Sequence, residues 1–222
     1  LKPATNTVPK ALVQLNGRPI LDYIIDTYRG KGIADFILCV GYKAEMIEAY
    51  YKNPPPGATM RFSDAGEEAS MLERLWAIGD LIGERVFVSY CDTFIDLDLE
   101  AMAAAHRERR AEATIVSARI RSPFGLLTFD DRNWATSFDE KPLLNYYIGG
   151  FLIEKTAFDH ITPDRLNMKD GQGLVDFFSA LIEKKKLSVF EHEGDQITFN
   201  TEPERQKAEE YLGQSYAHLE DM

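Results

Sequence analysis

The chain has 222 residues, 45% of them apolar and 27% charged, which supports one large domain, or one domain with an appendage, with a real core and argues against intrinsic disorder. Its formal net charge of −11 argues against nucleic acid and anionic membrane as general partners. No apolar run reaches the length of a membrane span and no secretory leader is visible, while Cys39 and Cys91 sit in apolar or strand-like stretches; the plain reading is a reduced, cytoplasmic protein.

Ile20, Leu21, Ile24, Ile25 and Tyr28 recur at helical spacing, with Pro19 and Gly30 as punctuation, and predict a first helix. Residues 35–42 read as a buried strand. A short helix follows over 43–51, stopped by the prolines at 54–56. A short strand is expected at 58–63 and a helix over 71–82. Residues 84–92, ERVFVSYCD, form the strongest strand, an apolar run of the kind that parallel sheets bury. A helix over 97–110 and a strand over 111–120 complete a series of β–α units, which implies a parallel sheet with helices on both faces. The pattern then changes. Residues 124–142 read as a hairpin turning at 130–133, followed by a strand at 146–154, a short helix at 156–161 and a helix over 174–186. Two short strands fall within 187–200. The last helix, 201–212, opens on a capping box of Thr201 and Glu204, with Pro203 in its first turn.

Sheets of this kind place ligands beyond the carboxyl ends of their strands. Asp92 closes the strongest strand, where a carboxylate suits a hard cation; pattern alone leaves ligand and structural acid level. Asp96 and Asp98 read better as a loop acid or a helix cap. Glu140 and Lys141, just before Pro142, would suit a sugar phosphate, acid to hydroxyls and ammonium to phosphate. Without further context they read as a surface ion pair worth little. Gly149 and Gly150 interrupt an apolar strand, which signals a bulge or a close approach of backbone or ligand. The four histidines show no zinc-ligand spacing, and no Walker A or nucleophile-elbow motif appears.

These pieces together resemble the sugar-nucleotide pyrophosphorylases, the nucleoside-triphosphate:sugar-1-phosphate nucleotidyltransferases. Leu1, Pro3, Thr5, Pro9 and Lys10 fall in register on the second half of that family's opening signature, Gly-rich loop then Thr-Arg-Leu-x-Pro-x-Thr-x-x-x-Pro-Lys. Residues 17–51 resemble its first two β–α units and are similar to the glucose-1-phosphate cytidylyltransferase branch. Residues 122–161 resemble that branch's middle segment, and 199–212 its terminal motif. The resemblance implies an α/β fold, a three-layer α/β/α Rossmann-like nucleotidyltransferase with a mainly parallel mixed sheet. It implies one domain over 1–222, with 1–121 as the nucleotide-binding half and 122–222 as the sugar-binding half. A first strand and a Gly-rich, arginine-bearing loop are expected upstream of residue 1. The implied substrates are a nucleoside triphosphate and a sugar 1-phosphate, with Mg²⁺ as cofactor and neither nucleic acid nor membrane as partner; a homo-oligomer stays open. By position, Lys10 would hold the triphosphate, Lys141 the sugar phosphate, and Asp92 with Asn200 the metal. Gly125, Glu140, Gly149 and Gly150 would face the sugar.

Three positions differ from the family pattern. Cys91 stands where a Gly normally precedes the metal Asp, Asn200 where a second Asp is usual, and the bulky stretch 67–74, EEASMLER, where the base-recognition segment is small. They keep a second reading in view, a non-catalytic or regulatory sugar-nucleotide-binding member of the same fold.

Overall fold

The structure, a computed structural model, describes residues 7–169, 171–199 and 201–216. Near its start, Asn16 and Gly17 take φ of 51° and 80°. Two successive positive φ values make the tight turn that pairs β1 (Gln14–Leu15) with β2 (Arg18–Pro19). This hairpin lies in a segment where no strand was expected, although its Asn-Gly dipeptide is a strong hairpin signal. Helix α1 (Ile20–Gly30) follows and buries the predicted stripe of Ile20, Leu21, Ile24, Ile25 and Tyr28.

Next come β3 (Asp35–Val40), α2 (Ala44–Tyr50) and β4 (Thr59–Asp64), with β3 and β4 parallel. Helix α3 (Met71–Ala77) is shorter than the expected 71–82. The chain leaves the helix at Ile78 and continues in tight turns, Ile78 and Ile82 remaining buried. The apolar pattern therefore runs on past the helix end. Gly79 sits where an added Cβ would lie 3.3 Å from the Phe158 ring, so the turn is also packed closely. Then follow β5 (Arg85–Ser89), β6 (Thr93–Ile95), α4 (Leu99–Arg109) and β7 (Ala113–Arg121). The expected hairpin is β8 (Leu126–Phe129) with β9 (Ala135–Asp139). The chain continues through β10 (Leu143–Glu154), a 3-10 turn at Lys155–His160, α5 (Pro163–Leu166), α6 (Gln172–Glu183), β11 (Leu187–His192), β12 (Gln196–Thr198) and α7 (Glu202–Ser215). The capping box of Thr201 and Glu204 forms at the start of α7.

The largest sheet has the order β11-β7-β10-β5. Strands β11 and β7 are parallel, and β10 runs antiparallel to both of its neighbours. Strand alternation sends β10 side chains to both faces. Phe151 and Ile153 join Leu72 and Leu75 of α3 and Phe177 and Leu181 of α6 on one side. Ile148 and Leu152 meet Met102 of α4 on the other, where α1 and α7 build a further core around Phe94 and Phe199. The result is the three-layer α/β/α arrangement with a mixed sheet. His106 ties α4 down, its Nδ1 lying 2.7 Å from Thr114 Oγ1 and its Nε2 2.9 Å from Glu154 Oε1, wholly buried. Among the described residues no helix is long and apolar enough to cross a membrane.

Candidate active site

The site lies where β5 ends. The chain leaves β5 through Tyr90 and Cys91 and presents Asp92. Lys10 opens a one-turn 3-10 helix, Lys10–Leu12, immediately after Pro9. Its Nζ donates to Asp92 Oδ2 at 2.7 Å, 82 residues away in sequence, and both side chains are half-buried. Thr93 Oγ1 donates to the other carboxylate oxygen at 3.2 Å, and Thr198 Oγ1 donates to Thr93 at 3.1 Å. Pairing of β12 with β6 brings Thr198 there, directly opposite Thr93.

Asp92 forms part of the wall of a cavity of about 510 Å³. Its polar end is Asp92, Thr93, Gln196 and Thr198; its apolar wall is Tyr90, Tyr146, Tyr147, Ile120 and Ile148, with Gly149. Gly149 lies in a bulge, because the β10–β7 register shifts between Tyr147 and Phe151. It has φ of 87°, and a Cβ there would lie 2.9 Å from Tyr90 Cδ2. Its carbonyl accepts from the Tyr90 backbone N–H at 3.0 Å. The missing side chain thus lets the Tyr90 ring lie on the strand, edge-on to Tyr147 with centroids 6.0 Å apart. Burial pushes both phenols above the usual tyrosine range.

The other sequence candidates lie elsewhere. Gly150 faces the core, where a Cβ would come within 3.2 Å of Phe87 and 3.4 Å of Val116. Gly125, Glu140 and Lys141 gather at the base of the β8–β9 hairpin and do not line the cavity. A Cβ on Gly125 would meet the Phe138 ring at 2.9 Å and Glu140 Oε2 at 3.4 Å. Lys141 takes a left-handed φ of 47° and receives Arg121 Nη1 on its carbonyl at 3.0 Å. Its ammonium is exposed, 3.9 Å from Glu140 Oε1. Asn200 lies outside the described residues. Asp98 caps α4 by accepting from Ala101 N–H, and Asp96 pairs with Lys31 at 2.7 Å, as their structural reading expects.

The bulky stretch 67–74 folds on itself. Ser70 and Glu73 form a capping box for α3. Arg74 donates from Nη1 to the Val40 carbonyl and from Nη2 to the carbonyls of Gly66 and Glu67, at 2.9 and 3.1 Å. Gly41 admits this guanidinium, since a Cβ there would stand 2.6 Å from it. Tyr90, Tyr146 and Tyr147 line the cavity without being among the sequence-predicted residues; the sequence signal for them is aromatics two residues before Asp92 and two and three before Gly149.

Among the described residues no group of three or more His, Cys, Asp and Glu could hold a metal. Asp92, Thr93, whose hydroxyl donates to it, and Thr198, which donates to Thr93, all line the cavity and offer hard oxygen donors there. That set suits a cation such as Mg²⁺, which commonly takes one or two carboxylates and completes its shell with water and phosphate oxygens.

The profile of the Nucleotidyl transferase family matches residues 1–207. The "Probable glucose-1-phosphate cytidylyltransferase" of Bacillus subtilis (strain 168) is 28% identical over 214 residues, covering 86% of this chain and 82% of its own. The glucose-1-phosphate cytidylyltransferase of Salmonella typhi is 26% identical over 225 residues, covering 87% and 84%. The crystal structure of HddC from Yersinia pseudotuberculosis superposes with a TM-score of 0.71 at 20% identity, covering 92% of this chain and 90% of that one; at this identity the likeness speaks for the fold. With the profile spanning nearly the whole sequence, the chain belongs to the nucleotidyl transferase family.

Proposed function

We propose that this protein transfers a nucleotidyl group from a nucleoside triphosphate to a sugar 1-phosphate, releasing pyrophosphate and an NDP-sugar. The observation that carries the reading is the Lys10–Asp92 contact just beyond β5, where Asp92 lines the cavity. A phosphate oxygen of the sugar 1-phosphate attacks the α-phosphorus, and the pyrophosphate oxygen leaves with the electron pair. The nucleophile is already an anion, so no general base is required. The obstacle is bringing two polyanions into line, which calls for fixed positive charge and positioning.

Lys10 would bind the triphosphate, and Asp92 would hold Mg²⁺, which would supply charge neutralisation. Lys141 takes the sugar phosphate, and Glu140 and Gly125 beside it face the sugar. Gly149 shapes the cavity wall, and Gly150 supports it from the core. In this reading residues 1–121 serve the nucleotide and 122–222 the sugar, and the two free cysteines suit a reducing cytoplasm. Glu140 and Lys141 reach the reacting groups only if the exposed hairpin base moves toward the cavity or the substrate bridges the distance.

The test is pyrophosphate release from each nucleoside triphosphate with a panel of sugar 1-phosphates, CTP with glucose 1-phosphate first because of the relatives' names. No release from any pair, together with tight NDP-sugar binding, would select the non-catalytic reading instead.

A further inference from the structure

Lys10 stands beside Asp92 where a cation would stand. Its Nζ lies 2.7 Å from Asp92 Oδ2, and Thr93 Oγ1 donates to Oδ1 at 3.2 Å, so both carboxylate oxygens are engaged. Among the described residues Asp92 is the one charged side chain in the wall of the cavity, and the ammonium cancels its charge. A lone carboxylate neutralised in this way offers a free divalent ion little attraction, and hard Mg²⁺ sheds its water reluctantly.

The backbone of Lys10 is fixed while its side chain can turn. Pro9 sets the entry with φ of −62°. The Leu12 N–H donates to the Pro9 carbonyl at 2.9 Å, and the Val13 N–H to the Lys10 carbonyl at 3.1 Å. Ala11 is buried in one core cluster with Leu21, Ile25 and Val40. The Lys10 side chain itself is 29% exposed. It is a point charge on a flexible four-carbon stem, so the ammonium can change partners without moving the turn.

We propose that Lys10 is a resident counter-ion that keeps free Mg²⁺ off Asp92 and yields the carboxylate only to a metal that arrives with a triphosphate. The inference rests on the reading of Asp92 as the metal carboxylate given above. The triphosphate supplies what the exchange needs: phosphate oxygens to receive the Lys10 ammonium, and further oxygens to complete the metal's shell. A free ion supplies neither. It must part the ammonium from Asp92 or stand beside it as a like charge, which is unfavourable at about 4 Å even at the dielectric constant of water. Metal and triphosphate therefore bind with positive coupling, each raising the other's affinity by the same factor.

Mn²⁺, a hard cation that replaces Mg²⁺ and is read by electron paramagnetic resonance, is titrated into the nucleotide-free whole chain. A chain of net charge −11 holds such ions weakly at many points, so the Asp92 site is read as the difference between each protein and its Asp92→Asn counterpart. Wild type and Asp92→Asn should give the same curve. Lys10→Met should bind Mn²⁺ about tenfold more tightly than wild type, and adding Asp92→Asn should abolish the gain. Lys10→Gln, which keeps a polar end without the charge, should behave like Lys10→Met, and a thermal melt checks that each variant is folded. Equal Asp92-dependent binding in wild type and Lys10→Met would overturn the proposal. No Asp92-dependent ion in any of the proteins would instead remove Asp92 as the metal carboxylate, and the proposal with it. Nucleotide is absent throughout, so either result is distinct from a failure to release pyrophosphate, which bears on the proposed reaction.

Discussion

Gly149→Ala is the substitution whose cost the geometry defines most closely. At φ of 87° an added Cβ is strained irrespective of space, at about 1–2 kcal/mol for a left-handed L-residue. The same Cβ would sit 2.9 Å from Tyr90 Cδ2 and 3.2 Å from Cγ, and an overpacked methyl costs about 1–3 kcal/mol. Reduced freedom of the unfolded chain returns about 0.4–1 kcal/mol. The net loss is about 1–4.5 kcal/mol, with a midpoint of about 3 kcal/mol. With an unfolding entropy near 2.1 cal/mol/K per residue, it lowers the Tm of a chain this long by roughly 2–10 °C, about 6 °C at the midpoint. The two contributions separate in a double-mutant cycle. In a Tyr90→Ala background the ring is gone and only the backbone strain remains, so Gly149→Ala should cost about 1–3 kcal/mol less there. Thermal melts of the four proteins measure this. Equal costs in the two backgrounds would show that Tyr90 does not fill the space that Gly149 leaves. A Tm change under about 1 °C for Gly149→Ala would refute the bulge geometry itself.

Lys10→Ala should raise the KM for the triphosphate and lower turnover while changing the Tm little, since a half-exposed ion pair contributes at most about 1 kcal/mol; steady-state kinetics beside a thermal melt checks both. Lys141→Ala should raise the KM for the sugar phosphate about ten- to a hundredfold, by loss of a charge-assisted hydrogen bond of about 1.5–3 kcal/mol, and the opposite selectivity would exchange the two lysines. Partial burial by itself pushes the Asp96 carboxyl up, but Lys31 and the Tyr216 hydroxyl outweigh it and hold the group below its ordinary 3.8. A depressed folded pKa gives stability that is present above the unfolded pKa and lost as pH falls through the folded one. Lys31→Met should therefore be less stable than wild type at neutral pH, with the gap closing in an acid titration as Asp96 protonates in both states.

The local code of this chain was readable without coordinates. Period-3.6 apolar spacing gave α1, and the continuous apolar run gave β5. Thr201 and Glu204 marked the start of α7, and the turn residues of 130–133 marked the β8–β9 hairpin, because each depends on neighbours within a few positions. The Asn16–Gly17 turn is equally local, an Asn-Gly hairpin signal carried by two residues. The early end of α3 was not local: Ile78 and Ile82 keep the helical period while the chain turns, because burial and not helix geometry sets the pattern there. Resemblance to a family picked out Lys10 and Asp92 separately. Only tertiary structure sets them 2.7 Å apart, as an ion pair spanning 82 residues is decided by how β5 and the Lys10 turn pack. Tertiary structure also divides the two adjacent glycines, Gly149 to the cavity and Gly150 to the core, since a bulge changes which way each residue faces. That the side of the β8–β9 hairpin shared by Leu127 and Phe138 meets water is equally invisible in sequence. Alternation tells which side chains share a side, but whether that side meets a core or water depends on what the rest of the chain folds against it.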